Sequence, residues 1–320
     1  MCTAIAYGRY FGRNLDLDHA YHETVTVTPR NYPFHFRRAG KMDSHYAMIG
    51  MAHVADGYPL YYDAVNEKGL AAAGLYFPLS AVYRPEQPGR DNISPFELIP
   101  WLLGRCGSLR EARELLCRLN PVNLPFNSRL PLFSLHWMIA GPDGAIAVEP
   151  AEEGIKVYDD PAGVLTNEPP FPCQMFHLAS HMQLTREQPR GSFADGLGLK
   201  PYCLGLGAMG LPGDLSSASR FVRAAFTRFH AVPGQSEKEA VSQFFHILGS
   251  VAQTKGCVRT ENGFEATVYS CCCNRETGVY YYTTYENSRI TAVDMRREDL
   301  DGKLPVCYPL IREQQVKYQN

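Results

Sequence analysis

A thiol stands at the second position of the chain, in Met1-Cys2-Thr3-Ala4-Ile5-Ala6. With Met1 removed, Cys2 would carry a nucleophile and a free α-amine on one residue. An amine with an ordinary pKa of about 7.7–8.0 can handle a proton near neutral pH, so no partner histidine is required. Small residues often follow an initiator methionine, so the meaning of Cys2 depends on its surroundings. One hairpin turn away lies Phe11-Gly12-Arg13-Asn14-Leu15-Asp16. Antiparallel pairing would bring Arg13 or Asp16 beside Cys2, a guanidinium favouring a thiolate and a carboxylate holding an α-ammonium. The plain alternative is a structural salt bridge at the hairpin.

Two further groups could serve the same chemistry from distant parts of the chain. Asn167 ends the run Leu165-Thr166-Asn167 before Glu168-Pro169; its amide could donate to an oxyanion or merely shape a turn. Arg220 follows Leu211-Pro212-Gly213-Asp214-Leu215-Ser216-Ser217-Ala218-Ser219, where the serines read as helix caps and the arginine is left without an assigned task. Cys271-Cys272-Cys273 reads as core thiols, because neighbouring strand residues point to opposite faces and there is no CxxC pair. No HExxH or similar histidine spacing occurs. Neither a metal nor any other cofactor is expected.

The elements that must position these residues follow from periodicity and punctuation. Residues 2–7 and 11–16 form a hairpin around Gly8-Arg9-Tyr10, and Thr24 to Thr28 alternates as a half-buried strand. Further strands are expected over 46–54, 61–66 and 70–76, the last with small residues Ala71 to Gly74 that admit a closely packed substrate or layer. Ser94-Pro95-Phe96-Glu97 and Ser108-Leu109-Arg110-Glu111 are capping boxes, the second heading a helix from Ala112 to Leu119. Strands follow over 132–140, 145–149, 154–158 and 163–167, then helices over 172–182, 217–230 and from Ser236 to about Leu248. The chain closes with strands over 267–273, 279–285 and 290–295. Hairpins without regular βαβ alternation predict an α+β fold of antiparallel sheets with helices packed outside them.

Bulk composition agrees with an enzyme of small molecules. The 320 residues are 45% apolar and 20% charged with a formal net charge of −2, which offers nucleic acid or an acidic membrane no electrostatic attraction. One domain over 1–320 is expected, since no linker, repeat or low-complexity segment interrupts it. Arg9, Arg13 and Asp16 break any early apolar run, so a cytoplasmic protein is expected, with no disulfides and most of its ten cysteines in the core.

Together, Met1-Cys2-Thr3, Gly12-Arg13-Asn14-Leu15-Asp16, Asn66-Glu67-Lys68-Gly69-Leu70, Leu165-Thr166-Asn167, Leu211-Pro212-Gly213-Asp214, Ser219-Arg220-Phe221 and Tyr281-Tyr282-Thr283-Thr284-Tyr285-Glu286-Asn287 resemble the choloylglycine hydrolase family, in the family's order over nearly the whole chain. The resemblance implies an N-terminal nucleophile hydrolase with a four-layer αββα fold, usually a cytoplasmic homotetramer in bacteria. It also implies roles. Cys2 would be the nucleophile, Arg13 and Asp16 would flank the thiol and the α-amine, Asn167 and the Tyr76 N–H would form the oxyanion hole, and Arg220 would complete the polar site.

The family divides into conjugated bile salt hydrolases and penicillin V acylases, and the position of Tyr76 is where they differ. Gly74-Leu75-Tyr76-Phe77-Pro78 carries the acylase tyrosine in a frame otherwise like the hydrolases. Glu168 after Asn167 and the short turn at Gly8-Arg9-Tyr10 are further departures. The expected substrate is a glycine- or taurine-conjugated bile salt, held by Leu15, Tyr58, Leu60, Tyr76, Phe126 and Leu132. Phenoxymethylpenicillin is the alternative, and a non-catalytic binding protein of the same fold a more distant one.

Overall fold

The computed structural model describes residues 1–191 and 193–320. Its main strands in chain order are Cys2–Tyr7 (β1), Tyr10–Leu17 (β2), Thr24–Thr28 (β3), Met48–Ala55 (β4), Tyr58–Asn66 (β5), Ala71–Tyr76 (β6), Leu135–Gly141 (β7), Gly144–Ala151 (β8), Gly154–Asp159 (β9) and Val164–Leu165 (β10). Val258–Arg259 (β11), Phe264–Asn274 (β12), Val279–Thr284 (β13), Thr291–Asp294 (β14) and Val306–Pro309 (β15) complete them. The helices are Leu98–Leu103 (α1), Leu109–Leu116 (α2), Phe171–Ala179 (α3), Ser217–His230 (α4) and Glu237–Gly249 (α5).

Two antiparallel sheets result. The first has the order β10-β1-β2-β12-β13-β14, with β11 pairing β12, and the second runs β9-β8-β7-β6-β5-β4-β3-β15. One helix layer, α1 and α2, packs on β5, β6 and β7, while α4 and α5 pack on β1, β2 and β12, with α3 against α4. This is the four-layer αββα sandwich.

The first hairpin shows how the sandwich sorts side chains. Cys2 pairs with Leu15, Thr3 with Asn14 and Ala4 with Arg13. Side chains alternate along a strand, so Cys2, Ala4, Arg13 and Leu15 share the face turned to the second sheet. Thr3, Gly12, Asn14 and Asp16 face the helices; Asn14 Nδ2 reaches Leu248 O on α5 at 3.0 Å. Gly12 is required there, because a Cβ would stand 1.9 Å from Cys271 O and 2.9 Å from a Phe244 ring atom. The small residues of β6 serve close packing of layers on both sides. Ala71 and Ala73 are buried in the inter-sheet core, and Ala72 in the core beneath α1 with Trp101 and Trp137.

Some expectations shift. The second helix of the pair starts at Leu109, directly after its cap Ser108, and ends at Leu116 rather than Leu119. Pro121 disfavours helical backbone at Asn120, and Leu119–Pro121 instead pairs in parallel with Asp91–Ile93. Edge strand β15 gives no alternating sequence signal; it pairs with the strictly alternating β3. Cysteine placement also corrects the expectation of mostly core thiols. Cys2, Cys106, Cys271, Cys272 and Cys273 are buried, whereas Cys117, Cys173, Cys203, Cys257 and Cys307 are exposed.

Candidate active site

Cys2, 3% exposed, sits in the floor of a cavity of about 500 Å³ whose lining also includes Met1, Arg13, Leu15, Gly74 and Tyr76. The hairpin register explains why Arg13 accompanies the thiol while Asp16 does not. Arg13 occupies the inter-sheet face with Cys2, and its Nη1 donates to Tyr62 O at 2.9 Å and Gly74 O at 2.6 Å. Its Nη2 has no hydrogen-bond partner among the described residues. Burial opposes the Arg13 charge, but the electrostatic influence of the neighbouring Cys2, Tyr269 and Asp63 outweighs it and raises its pKa. No salt bridge joins Arg13 to Asp16.

Asp16, on the opposite face, accepts from Thr267 Oγ1 at 2.6 Å and has an unpartnered Oδ2 that lies 4.0 Å from Arg220 Nη1. Burial pushes its pKa up, against the lowering pull of Arg220, the chain's amino terminus and the Thr267 hydrogen bond. Arg220, entirely buried on α4, donates through Nη1 to Cys2 O and Thr3 Oγ1, both at 2.6 Å. Through Nη2 it reaches Asn167 Oδ1 at 2.8 Å.

Asn167 is oriented from every side. Its Oδ1 also accepts the Cys2 main-chain N–H at 2.8 Å, which forces Nδ2 the other way, toward Tyr76 O at 2.7 Å. One Nδ2 hydrogen remains for another acceptor beside the Tyr76 backbone. The Asn167 N–H donates to Ser217 Oγ at 2.8 Å, and its carbonyl accepts from Gln174 Nε2 at 2.6 Å. The hydroxyl-rich segment therefore braces the site in addition to capping α4, where Ser216 Oγ accepts from Ser219 N. Glu168 has a structural task as well: its carboxylate takes up Leu79 N, Ser80 N and Ser80 Oγ, fastening the loop after Tyr76.

The chain's amino terminus enters the same place. The Met1 ammonium contacts Asp16 O at 2.6 Å and the Glu265 carboxylate. Burial lowers its pKa, against the raising influence of Cys2 and Asp16. In this arrangement the Cys2 nitrogen belongs to a peptide bond.

Of the expected wall residues, Leu15, Leu60, Tyr76, Phe126 and Leu132 line the cavity. Tyr58 does not. Its ring stands behind the lining, 5.9 Å from Phe96 and 5.8 Å from Phe126 between centroids. The neighbours Phe96, Leu130, Pro131 and Phe133, which stand out in no sequence motif for a pocket, complete the apolar wall. Asp63 and Glu265 carry no sequence motif either. Asp63 accepts from Tyr269 Oη at 2.6 Å and Tyr280 Oη at 2.7 Å between the sheets. Among the described residues no three His, Cys, Asp or Glu side chains cluster as a metal cage.

Residues 2–308 match the model of the linear amide C–N hydrolases, choloylglycine hydrolase family. The chain belongs to the choloylglycine hydrolase family. It is 50% identical over 319 residues to the bile salt hydrolase/transferase of Lactiplantibacillus plantarum, with 98% of each chain covered. It is 36% identical over 330 residues to the bile salt hydrolase/transferase of Clostridium perfringens, covering both completely. The conjugated bile acid hydrolase structure from Clostridium perfringens superposes with a TM-score of 0.91 at 35% identity over the whole of both chains. The penicillin V acylase of Agrobacterium tumefaciens, at 19% identity, covers 95% of this chain and 90% of its own with a TM-score of 0.74, a likeness of fold alone. The family's chemistry makes this protein an enzyme acting on linear amide C–N bonds, built on the N-terminal nucleophile hydrolase fold. No helix among the described residues is long and apolar enough to cross a membrane.

The buried carboxylate behind Arg13 has a pH signature. Burial raises the Asp63 pKa, outweighing Arg13 and the hydrogen bonds from Tyr269, Tyr280 and Cys271. The folded protein thus keeps this proton at pH values where the unfolded chain, with a pKa of about 3.9, has lost it. Asp63's contribution to stability is full below the unfolded pKa and declines as pH rises through the folded one. Urea unfolding of the wild type and Asp63→Asn should show the stability difference moving in favour of the asparagine variant as pH rises above about 4. A difference that stays flat, or moves toward the wild type, contradicts this.

Proposed function

We propose that the mature enzyme hydrolyses the amide of glycine- or taurine-conjugated bile salts, with Cys2 as nucleophile after loss of Met1. The observation that carries this is one cavity in which Cys2 and Tyr76, both hydrogen-bonded to Asn167, adjoin an apolar wall of Leu60, Phe96, Phe126 and Leu132. A steroid acyl group suits that wall, and the bile-salt names of relatives up to 50% identical support it.

In this reading Cys2 Sγ attacks the carbonyl carbon. The Asn167 amide and the Tyr76 N–H receive the oxyanion, and the thiol proton passes through the Cys2 α-amine to the leaving amine. Water then cleaves the thioester. Asp16 and Arg13 hold charge around the amine and the thiol, and Arg220 keeps Asn167 turned toward the carbonyl. The chain works as one domain in the cytoplasm and assembles as a homotetramer.

Penicillin V cleavage is the second reading, favoured by the Tyr76 side chain, which is 43% exposed at the cavity. Glycine released from cholylglycine, compared with acid released from phenoxymethylpenicillin, separates the two; we expect the bile salt to be cleaved faster. Negligible bile-salt cleavage beside good penicillin cleavage would reverse the order. Asn167→Ala should lower kcat by about 10²- to 10³-fold while the far-ultraviolet spectrum stays that of the wild type. Unchanged turnover in that variant would remove Asn167 from the oxyanion hole.

A further inference from the structure

We infer that the place held by the Met1 ammonium becomes, once Met1 is gone, a subsite for a cationic group on the amine side of the substrate, with Glu265 as its carboxylate. This rests on the reading above, in which Met1 is removed and Cys2 attacks a bile acyl amide.

Met1 prolongs β1 along β2. Asp16 N–H donates to Met1 O at 2.9 Å, and the Met1 ammonium donates to Asp16 O at 2.6 Å and to Glu265. Loss of Met1 therefore releases a main-chain N–H, a carbonyl and a carboxylate from the bonds they make to it at the edge of the reaction centre. Glu265 is only 5% exposed, and the Met1 ammonium is its one side-chain partner among the described residues. A carboxylate so buried is costly unless a cation joins it.

The surroundings point the same way. The cavity has two unlike walls. Besides the apolar wall, the lining includes Asp18, Thr260, Glu261 and Asn262 from the end of β2 and the β11–β12 turn, and Glu265 at the start of β12. The described lining residues include no lysine and one arginine, Arg13, whose Nη1 is taken by the carbonyls of Tyr62 and Gly74. His19 is turned to Asp18, with Nδ1 and Oδ1 2.5 Å apart. With the acyl group on the apolar wall, the amine portion extends along the anionic one. A glycine amide brings a carboxylate there; an aminoethyl amide of the same reach brings an ammonium.

The reaction on such a substrate is the one already described. The Cys2 Sγ–carbonyl bond forms, the amide C–N bond breaks, and 1,2-diaminoethane leaves with the proton from the thiol. Water then returns the thiol and releases the bile acid.

The test is kcat/KM of Met1-free enzyme for cholylglycine and for the cholyl aminoethyl amide, in the wild type, Glu265→Gln and Glu265→Asp. The wild type should cleave both. Glu265→Gln should lower the aminoethyl amide about tenfold or more relative to the glycine amide, the size of a lost charge-assisted hydrogen bond, and Glu265→Asp should restore part of it. Cleavage of cholylglycine with none of the aminoethyl amide overturns the inference. So does an equal loss on both substrates in Glu265→Gln, which would mean that Glu265 acts on the Cys2 α-amine or on the fold. A wild type inactive on both amides overturns the bile acyl reading itself.

Discussion

Arg220 has no exposure to water, and four groups from three segments meet at its guanidinium: the Cys2 carbonyl and Thr3 hydroxyl of β1, the Asn167 amide beyond β10, and Asp16 of β2. A buried charge of this kind is tolerated only with a near-complete shell of acceptors, so its geometry is tightly specified. Removing one acceptor strands the cation; moving the cation releases the Asn167 side chain. The orientation of that amide follows from Arg220 and the Cys2 N–H claiming the same oxygen, which leaves the donor end facing Tyr76. Catalytic geometry and packing of α4 on the first sheet are thus a single constraint.

The strand period of two does the rest. Arg13 and Asp16 are three residues apart on β2, so they must point to opposite faces. One stands with the thiol between the sheets and the other lies beneath it among Arg220 and Thr267. A hairpin can in this way surround its own first residue with charge of both signs without the two charges neutralising each other. The inter-sheet side also holds Asp63, whose partners Tyr269 and Tyr280 come from β12 and β13. The second sheet thereby places a buried acid behind Arg13 without touching the thiol.

Much of this was legible in the residues. The Gly8 turn, the alternation of 24–28 and the capping serines of three helices set the elements nearly where they stand. Arg13, Asp16, Asn167 and Arg220, picked out with Cys2 from separate motifs and a family likeness, gather around it, with Arg13 on the cavity side and Asn167 and Arg220 hydrogen-bonded to the Cys2 backbone. Sequence reasoning failed where the answer depends on how two sheets are offset. Tyr58 and Phe126 look equally suited to a pocket wall, yet only packing against Phe96 decides that Tyr58 stands behind it. Glu265 and Asp63 carry no local motif, since their meaning comes from partners more than 200 residues away. The Asn66–Leu70 motif has a structural function, with Asn66 Nδ2 holding the carbonyls of Leu103 and Cys106 at the end of α1.

All of these arrangements acquire their chemical sense from a free amine on Cys2. Two preparations of the chain, one retaining Met1 and one lacking it, can be verified by intact mass and assayed side by side on cholylglycine at equal concentration. Hydrolysis should scale with the Met1-free fraction and be absent from the Met1-retaining form, whose Cys2 nitrogen is locked in a peptide bond. Equal turnover by the Met1-retaining form would show that the thiol works without its own α-amine, and the N-terminal nucleophile account would be wrong.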